Sequence, residues 1–334
     1  MATIHDVAKQ AGVAPITVSR VINNSGYISD KTREKVQKAI NELGYVPNVL
    51  ARSLKSKRTN TLALVFTDIT NPFFTILARG VEDTASESGF NVIFCNTDES
   101  QEKEDTYIQL LLQKQVDGIL LVPAVSSSKS IDLIQEQKTP LVVLDRRVPH
   151  TNVDVVRGDS DGGAYQLTQH LINLGHKRIT ILSGPREVST AEDRFQGYKR
   201  AMEDNGLSEF VQCHYGNFSQ ESGKKLARQV FSKQPNPTAI FAANNLIALG
   251  TLSTLRSMGI KVPDDVALVS FDDIPENLTL FPFMTVVRQP SYEMGKRATE
   301  ILISRIREAG SPDYQEIIFP VEFFESTSSG GPIN

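Results

Sequence analysis

The sequence has few cysteines and no long apolar run. Its 334 residues include two cysteines, Cys95 and Cys213, which favours two reduced core thiols, although a single disulfide stays open. The longest apolar stretches, such as GILLVPAV and TLALVF, are too short to cross a bilayer, and no basic-then-apolar signal segment precedes the first polar residues. We therefore expect a cytoplasmic protein, with a chain long enough for two or three domains.

The sequence also lacks the residue spacings of most catalytic and metal sites. The five histidines show no HxxxH or HExxH spacing, which predicts no metal site. Ser183 and Ser189 lack the context of a nucleophile elbow, and Gly162-Gly163 does not make a dinucleotide fingerprint. We therefore expect no enzyme activity, no cofactor and no metal.

Charge is unevenly distributed along the chain. The formal net charge is −4, but residues 1–60 contain 10 Lys and Arg against 4 Asp and Glu, so this segment carries +6 and the remainder −10. A basic head on an acidic body indicates a polyanionic partner such as nucleic acid. The plainer interpretation of the same charges is a solvated surface.

The basic head begins with the stretch IHDVAKQAGVAPITVSRVIN, which predicts two short helices around a tight turn. Thr3 caps the first helix, with Asp6 completing a capping box, and Gly12 suits its C-terminal turn. Pro15 suits the first turn of the second helix, which ends near Asn23.

A third helix, KTREKVQKAINELGY, carries an apolar stripe that completes a small core. The result is a helix-turn-helix whose second helix exposes Thr17, Ser19 and Arg20 on its outer face. Such a face contacts phosphates and base edges in DNA. A three-helix module for protein interaction is the alternative.

From Thr61 onward, β-rich runs alternate with helical stretches. We expect seven strands, at TLALVF, NVIFC, DGILLV, PLVVLD, RITILSG, TAIFAAN and DVALVSF, and seven helices from FTILARGVEDTASESG to SYEMGKRATEILISRIREAG. This alternation predicts parallel sheets with right-handed crossovers, and the number of elements predicts two doubly wound α/β halves.

Polar and aromatic side chains follow many of these strands. Because ligands bind beyond the carboxyl ends of such strands, these residues are candidates for one site: Asn71, Phe73, Phe74, Asp145, Arg146, Arg194, Asn244, Asn245, Asp272 and Gln289. Carboxylate, guanidinium and amide groups bind vicinal hydroxyls, and aromatic faces cover sugar rings, so the pattern predicts a sugar site. Core packing of the two phenylalanines and loop capping by the two aspartates are the alternatives.

The head segments DVAKQAGVAPITVSRVIN and TREKVQKAINELGYVPNVLARSLK resemble the lactose-repressor (LacI/GalR) family of bacterial transcriptional regulators, in particular its ribose- and purine-repressor-type members. The resemblance extends to about residue 325. It implies that Pro15, Ile16 and Arg20 lie in the major groove, with Arg20 suited to a guanine. The chain departs from the family at Pro15 and Ile16, which replace a polar pair, and at Ala14, which replaces a serine cap.

The segment NVLARSLKS, residues 48–56, resembles the hinge helix of that family, which pairs with a second copy in the minor groove. Leu54 matches the leucine that wedges a base step open, and Lys55 lies beside it; a linker residue packed on the body is the alternative for Leu54. The expected DNA-binding residues are Thr3, Pro15, Ile16, Thr17, Ser19, Arg20, Asn23, Leu54 and Lys55.

The resemblance also implies a division of the chain into domains. The head covers residues 1–47, the hinge helix and linker 48–60, and the effector-binding body 61–334. Three chain crossings divide the body into half one, about 61–159 and 290–320, and half two, about 160–289 and 321–334. The expected fold is therefore α/β, with a small all-α helix-turn-helix head and two halves of periplasmic-binding-protein type.

For the body, the resemblance implies a ribose-like effector held by Asn71, Phe73, Phe74, Asp145, Arg146, Arg194, Phe218, Asn244, Asp272 and Gln289. Asn245 departs from the family, which usually has aspartate there. The tail FESTSSGGPIN carries no leucine heptad, so we expect a homodimer rather than a tetramer.

We therefore predict a cytoplasmic repressor that binds a pseudo-palindromic operator in double-stranded DNA, responds to a sugar and contacts no membrane. A catabolite-control-type regulator using a phosphoprotein partner and a purine-type corepressor-dependent repressor are the alternatives. A solute-binding protein is a third, which the basic head disfavours.

Overall fold

The computed structural model describes residues 2–23, 25–45, 58–273, 283–307 and 313–331. The chain forms two compact units, Met1–Thr59 and Asn60–Asn334. None of the helices in the described ranges is long and apolar enough to span a bilayer.

The first unit is a three-helix head, as the sequence predicts. Its helices are α1 (Ile4–Ala11), α2 (Pro15–Ile22) and α3 (Asp30–Leu43). Thr3 closes the capping box, because Asp6 N donates to Thr3 Oγ1 at 3.3 Å and Thr3 N donates to Asp6 Oδ2 at 2.8 Å. Ala14 gives α2 no side-chain cap. Val7, Val18 and Val36, one from each helix, are fully buried in the core.

The second unit contains two six-stranded sheets. In chain order the elements of its first stretch are β1 (Thr61–Phe66), α4 (Pro72–Glu87), β2 (Asn91–Asn96), α5 (Gln101–Gln113), β3 (Gly118–Leu121), α6 (Lys129–Glu136), β4 (Leu141–Leu144) and β5 (Asp154–Gly158). The next stretch contains α7 (Ser160–Asn173), β6 (Ile179–Ser183), α8 (Ser189–Asp204), β7 (Gln212–Tyr215), α9 (Gln220–Phe231), β8 (Ala239–Ala242), α10 (Asn245–Ser257), β9 (Ala267–Phe271) and β10 (Thr285–Arg288). Then come α11 (Ser291–Arg307), β11 (Glu316–Phe319) and β12 (Glu322–Phe324).

The two sheets repeat one topology. The first has the order β11-β5-β4-β3-β1-β2 and the second β12-β10-β9-β8-β6-β7. All neighbours are parallel except β10 and β12. Helices cover both faces of each sheet: α4 and α11 oppose α5 and α6 on the first, and α7 and α8 oppose α9 and α10 on the second. This is the doubly wound arrangement that the sequence predicts.

The chain passes between the sheets three times, after β5, after β10 and after β11. Each half is therefore built from separate stretches of sequence. We call the part around the first sheet half one and the part around the second half two. Connections of this kind permit hinged closure on a ligand.

The seven strands that the sequence predicts are all present, as β1, β2, β3, β4, β6, β8 and β9, but the set was incomplete, because the described residues contain twelve. Those that the sequence did not predict are β5, β7, β10, β11 and β12, and helix α6 was also missed. Strand β5, DVVRG, begins and ends with residues that disfavour strands. It pairs with β4 on one side and β11 on the other, and Arg305 on α11 binds its buried first residue, Asp154, through two hydrogen bonds of 2.8 and 2.9 Å.

Helices α4 and α11 cross closely at two glycines. A Cβ at Gly80 would collide with the carbonyl oxygen of Tyr292, and one at Gly295 would collide with that of Leu77. The glycines thus let the backbones approach and fix one helix against the other, so this face of half one is tightly packed.

Candidate functional site

The second helix of the head separates a buried face from an exposed one. Val18 and Val21 face the core, whereas Pro15, Ile16 and Arg20 are exposed. Ile16 is 55% exposed, so its side chain has little packing role within the head. Apolar side chains in the first turn of the helix and an exposed guanidinium in its last turn, on one exposed face, fit contact with base edges.

The other head residues predicted to contact DNA differ in their surroundings. Thr17 and Ser19 are half-buried, and Asn23 Nδ2 donates to Ser19 Oγ at 3.2 Å at the end of α2. The hydroxyl of Thr3 donates to Asp6 Oδ2 at 2.7 Å within the capping box, on an exposed surface. Leu54 and Lys55, with the rest of the predicted hinge helix from 48 to 56, lie outside the described residues.

A cleft in the second unit brings together most of the predicted effector residues. Its cavity volume is about 20 Å³, room for about one water molecule, so the two halves lie close together around it. Nine predicted residues line it: Asn71, Phe73, Phe74, Asp145, Arg146, Arg194, Phe218, Asn244 and Asp272. They follow β1, β4, β6, β7, β8 and β9, so the carboxyl ends of strands from both sheets form the cleft.

Each half contributes one aspartate from an equivalent position. Asp145 follows β4 and Asp272 follows β9, and both have a left-handed backbone with φ of 62°. The strand beside each holds this conformation, because Asp145 N donates to Val156 O at 2.9 Å and Asp272 N donates to Val287 O at 2.8 Å. Non-glycine residues seldom adopt such a conformation, and it is frequent at functional sites.

Both carboxyl groups are electrostatically perturbed. Burial raises the pKa of Asp272 to about 6, an effect that Arg194 and Gln289 oppose only in part. Burial also raises the pKa of Asp145, against the attraction of Arg146 and Arg194. A ligand that donates hydrogen bonds to these carboxylates replaces the water that they have lost.

The guanidinium group of Arg146 is fixed by hydrogen bonds to a carboxylate and to backbone carbonyl oxygens. Its Nη1 and Nη2 each lie 2.6 Å from an oxygen of Glu99, and Nη1 also donates to Pro123 O at 2.9 Å. Burial disfavours the guanidinium charge, but Glu99 and the nearby carboxylates outweigh burial and raise the pKa of Arg146. The guanidinium carbon lies 5.7 Å from the ring centroid of Phe218 in the other half.

Arg194 reaches the cleft from α8 in half two. Its Nη1 donates to Ala243 O at 2.7 Å, and its guanidinium stacks 3.8 Å from the ring centroid of Phe271. Burial lowers the pKa of Arg194, although Asp272 and Asp145 oppose the shift. Its Nε is buried and has no hydrogen-bond partner, as is also true of the Nε of Arg146. Unsatisfied buried donors are costly, so they favour a ligand with acceptor oxygens.

Two asparagines cap helices and line the cleft at once. Asn71 Oδ1 accepts from Phe73 N at 3.0 Å at the start of α4, and Asn244 Oδ1 accepts from Ile247 N at 2.8 Å at the start of α10. Because each oxygen is directed at a helix N-terminus, the amide nitrogen is the donor that each side chain can offer to a ligand.

The aromatic side chains serve the core as well as the cleft. Phe73 and Phe74 are buried, and their ring centroids lie 5.0 Å apart in an edge-to-face arrangement. They also belong to the apolar cluster beneath the first sheet. The functional and the packing interpretations therefore both apply to these two residues.

One predicted effector residue, Gln289, lies outside the lining of the cleft, and three residues that were not predicted belong to it. Gln289 does not line the cleft, but its Nε2 donates to both oxygens of Asp272 at 3.0 Å, and it borders a neighbouring cavity. Sequence reasoning missed Asp68, Glu99 and Thr190, which line the cleft. Asp68 and Glu99 also follow strands of the first sheet, β1 and β2, so their position was a signal that could have found them.

Within the described ranges, no group of three or more His, Cys, Asp or Glu side chains is arranged to hold a metal ion. Cys95 and Cys213 are both free thiols. The cleft is lined by hydrogen-bonding groups and aromatic faces from both halves.

Comparison with known proteins supports the same architecture. Residues 3–48 match the family model described as bacterial regulatory proteins, lacI family, and residues 59–327 match that of periplasmic binding proteins and the sugar binding domain of the LacI family. The chain is 39% identical over 331 residues to the ribose operon repressor of Halalkalibacterium halodurans, covering 99% of this chain and 98% of that protein.

Two solved structures share the fold. The lac repressor dimer bound to operator and the anti-inducer ONPF is 25% identical, with a TM-score of 0.86 over 98% of this chain and 99% of that one. A LacI-family transcriptional regulator from Enterococcus faecium with bound ribose is 28% identical, with a TM-score of 0.73 over 82% of this chain and 100% of that one.

A helix-turn-helix head and a two-halved binding body together define a DNA-binding regulator that responds to a small molecule. The chain belongs to the lacI family of bacterial regulatory proteins.

Proposed function

We propose that this chain is a transcriptional repressor whose DNA binding is controlled by a small, uncharged, ribose-like sugar bound between the halves of the body. The observation that carries the proposal is the composition of the cleft. Asp145 and Asp272 face it from opposite halves, with a buried guanidinium, Arg146 and Arg194, from each half.

The charge of the cleft argues for an uncharged effector. Four carboxylates line it, those of Asp68, Glu99, Asp145 and Asp272, against two guanidinium groups. Since Glu99 already pairs with Arg146 through two short hydrogen bonds, a phosphate would face an excess of negative charge. Vicinal hydroxyls suit this set, because they donate to carboxylates and accept from guanidinium and amide groups.

The DNA contacts, the domain bounds and the location of the protein are proposed from its membership of the lacI family and from the exposed residues of the head. The exposed Pro15, Ile16 and Arg20 would contact bases, with Thr3, Thr17, Ser19 and Asn23 nearby and Leu54 and Lys55 in the hinge segment. A homodimer would place two heads on a pseudo-palindromic operator, as in the lac repressor dimer structure. We assign the head to 1–47, the hinge and linker to 48–60 and the body to 61–334. The protein would act in the cytoplasm, by regulation rather than catalysis.

The effector would act by changing the population of two states of the body that differ in DNA affinity. Coupling of this kind is reciprocal, so DNA must change effector affinity by the same factor as the effector changes DNA affinity.

Calorimetric titration of the purified full-length protein tests this proposal. The panel contains D-ribose, other pentoses, hexoses, ribose 5-phosphate and purine bases, each with and without a DNA duplex selected from a random pool by the protein itself. We expect ribose or a close relative to bind, ribose 5-phosphate to bind far more weakly, and the duplex to change the sugar affinity. Binding of a purine alone would favour the corepressor alternative. Absence of any small-molecule binding would contradict the proposal and leave a phosphoprotein partner as the next candidate.

A further inference from the structure

One buried hydrogen bond joins the two halves inside the cleft region. Asn245, the first residue of α10 in half two, donates through Nδ2 to Asn71 Oδ1 of half one at 3.1 Å. Asn245 is 2% exposed and Asn71 is 7% exposed, so water does not compete for this bond. Asn245 does not line the cleft that Asn71 lines.

The hydrogen bond from Asn245 fixes the orientation of the Asn71 side chain. Asn71 Oδ1 already accepts from Phe73 N at 3.0 Å as the cap of α4, and Asn245 adds a second donor to the same oxygen. A carbonyl oxygen has two lone pairs, so both are occupied. The Nδ2 group of Asn71 then has one orientation, with its hydrogens available to an acceptor in the cleft.

The orientation of Asn245 is itself determined by its neighbours. Its Nδ2 faces two acceptors, Asn71 Oδ1 and the carbonyl oxygen of Asp273 at 3.2 Å. A flipped amide would turn its oxygen toward both of them and make neither bond. Its own Oδ1 is buried without a hydrogen-bond partner, which is unfavourable. The two hydrogen bonds that its nitrogen donates offset this loss.

We propose that Asn245 is a positioning residue for the effector, holding Asn71 in its ligand-donating orientation only while the two halves are closed. This inference rests on the proposed sugar-binding function of the cleft. When the halves separate, Asn71 keeps its capping bond but loses the second donor. The contact that Asn71 makes with the effector thus becomes dependent on closure of the whole body.

The chemistry of position 245 follows from this role. Aspartate is nearly the same shape as asparagine, but an ionised carboxylate has no proton to donate to Asn71 Oδ1. Asn245→Asp should therefore weaken effector binding much as Asn245→Ala does, although it leaves no cavity.

The first test titrates D-ribose into the full-length protein and its variants. We expect Asn245→Ala and Asn245→Asp each to raise the dissociation constant about three- to tenfold, the effect of one neutral buried hydrogen bond. In an Asn71→Ala background, Asn245→Ala should add less than about twofold, because its target is gone. The matched control is Ser126→Ala, which removes an exposed cross-half bond to Glu187 O between residues that do not line the cleft and should change the affinity less than about twofold.

The second test does not depend on the identity of the effector. Hydrogen exchange of the peptide at residues 70–77 reports on the amide of Phe73, which donates to Asn71. Asn245→Ala lies in the other half, yet it should raise exchange there, with or without ribose, whereas Ser126→Ala should not.

The outcomes separate the two proposals. Additive effects of the Asn71 and Asn245 substitutions on ribose affinity, or exchange at 70–77 that does not respond to Asn245→Ala in either condition, would overturn the positioning role. If the unsubstituted protein binds no sugar, the proposed function fails, and the exchange measurement alone decides whether Asn245 holds Asn71.

Discussion

Replacing Asp272 by asparagine tests the electrostatics of the cleft. The carboxyl group is buried, and its pKa is raised from the ordinary value of 3.8 to about 6. This is a difference of about two units, and each unit corresponds to about 1.36 kcal/mol. Ionised Asp272 therefore lowers the free energy of unfolding by up to about 3 kcal/mol at neutral pH in the absence of ligand. The neutral amide removes this cost and can still accept from Gln289, so Asp272→Asn should stabilise the ligand-free protein at pH 7.5.

The free energy of unfolding of the unsubstituted protein should depend on pH because Asp272 titrates at different pH values in the folded and unfolded states. Since the pKa of Asp272 is higher in the folded than in the unfolded state, the folded protein binds more protons between about pH 4 and pH 6. The unsubstituted protein thus gains stability as the pH falls through that window, and the variant lacks this contribution. The advantage of Asp272→Asn should shrink to about half when the pH is lowered from 7.5 to 5.

Urea unfolding followed by circular dichroism measures both quantities, since the chain has no tryptophan to report by fluorescence. Asp273→Asn is the matched control, because Asp273 is the neighbouring carboxylate but pairs with Arg288 in a more exposed setting, and this substitution should not stabilise the protein at pH 7.5. A stability difference that is the same at both pH values would refute the reasoning. The same substitution should weaken ribose binding at least about tenfold, since a charged acceptor is lost; gain of stability with loss of ligand affinity is typical of binding sites.

The remaining predictions concern the head, the hinge segment and the support of Arg146. Arg20→Ala should weaken specific DNA binding by about 1–3 kcal/mol in a fluorescence anisotropy assay while leaving ribose affinity unchanged; a parallel loss of both would contradict the assignment of the head. Leu54→Ala should reduce specific binding more than non-specific binding, and equal losses would exclude a wedge. Glu99→Gln removes the charge that pairs with Arg146 and should weaken ribose binding several-fold; unchanged affinity would mean that Arg146 does not need Glu99 for its orientation.

The sequence predicted the elements that carry a clear local pattern. Helices α1 and α2 carry their own signals in Thr3, Gly12 and Pro15, and the structure confirms those helices. Strands such as TLALVF and GILL are continuous apolar runs that only a doubly covered sheet can bury. By contrast, β5 pairs with β11, and its Asp154 with Arg305, each more than a hundred residues away along the chain, and no local pattern contains that information.

The cleft residues also divide into those that a local pattern predicts and those that depend on contacts between distant parts of the chain. Residues placed directly after apolar strands were found because parallel strands gather their carboxyl ends. Glu99 follows β2, but it is one acidic residue among several in CNTDESQEKE, and its pairing with Arg146 is what distinguishes it from the others. The bond between Asn71 and Asn245 spans 174 residues and forms across two halves, so it follows from closure and not from any motif.

The three passages of the chain between the sheets limit how this protein can be rebuilt. The head is connected to the body by one stretch of chain, so a chimera with another head needs a single junction. Neither half of the body is contiguous, because strands β11 and β12 return to different sheets after α11. A chimera that exchanges half two must therefore splice the chain at three places, after β5, after β10 and after β11. Changing what the body senses is accordingly a matter of substituting side chains in the cleft, whereas changing what the head binds can be done by exchange of the whole unit.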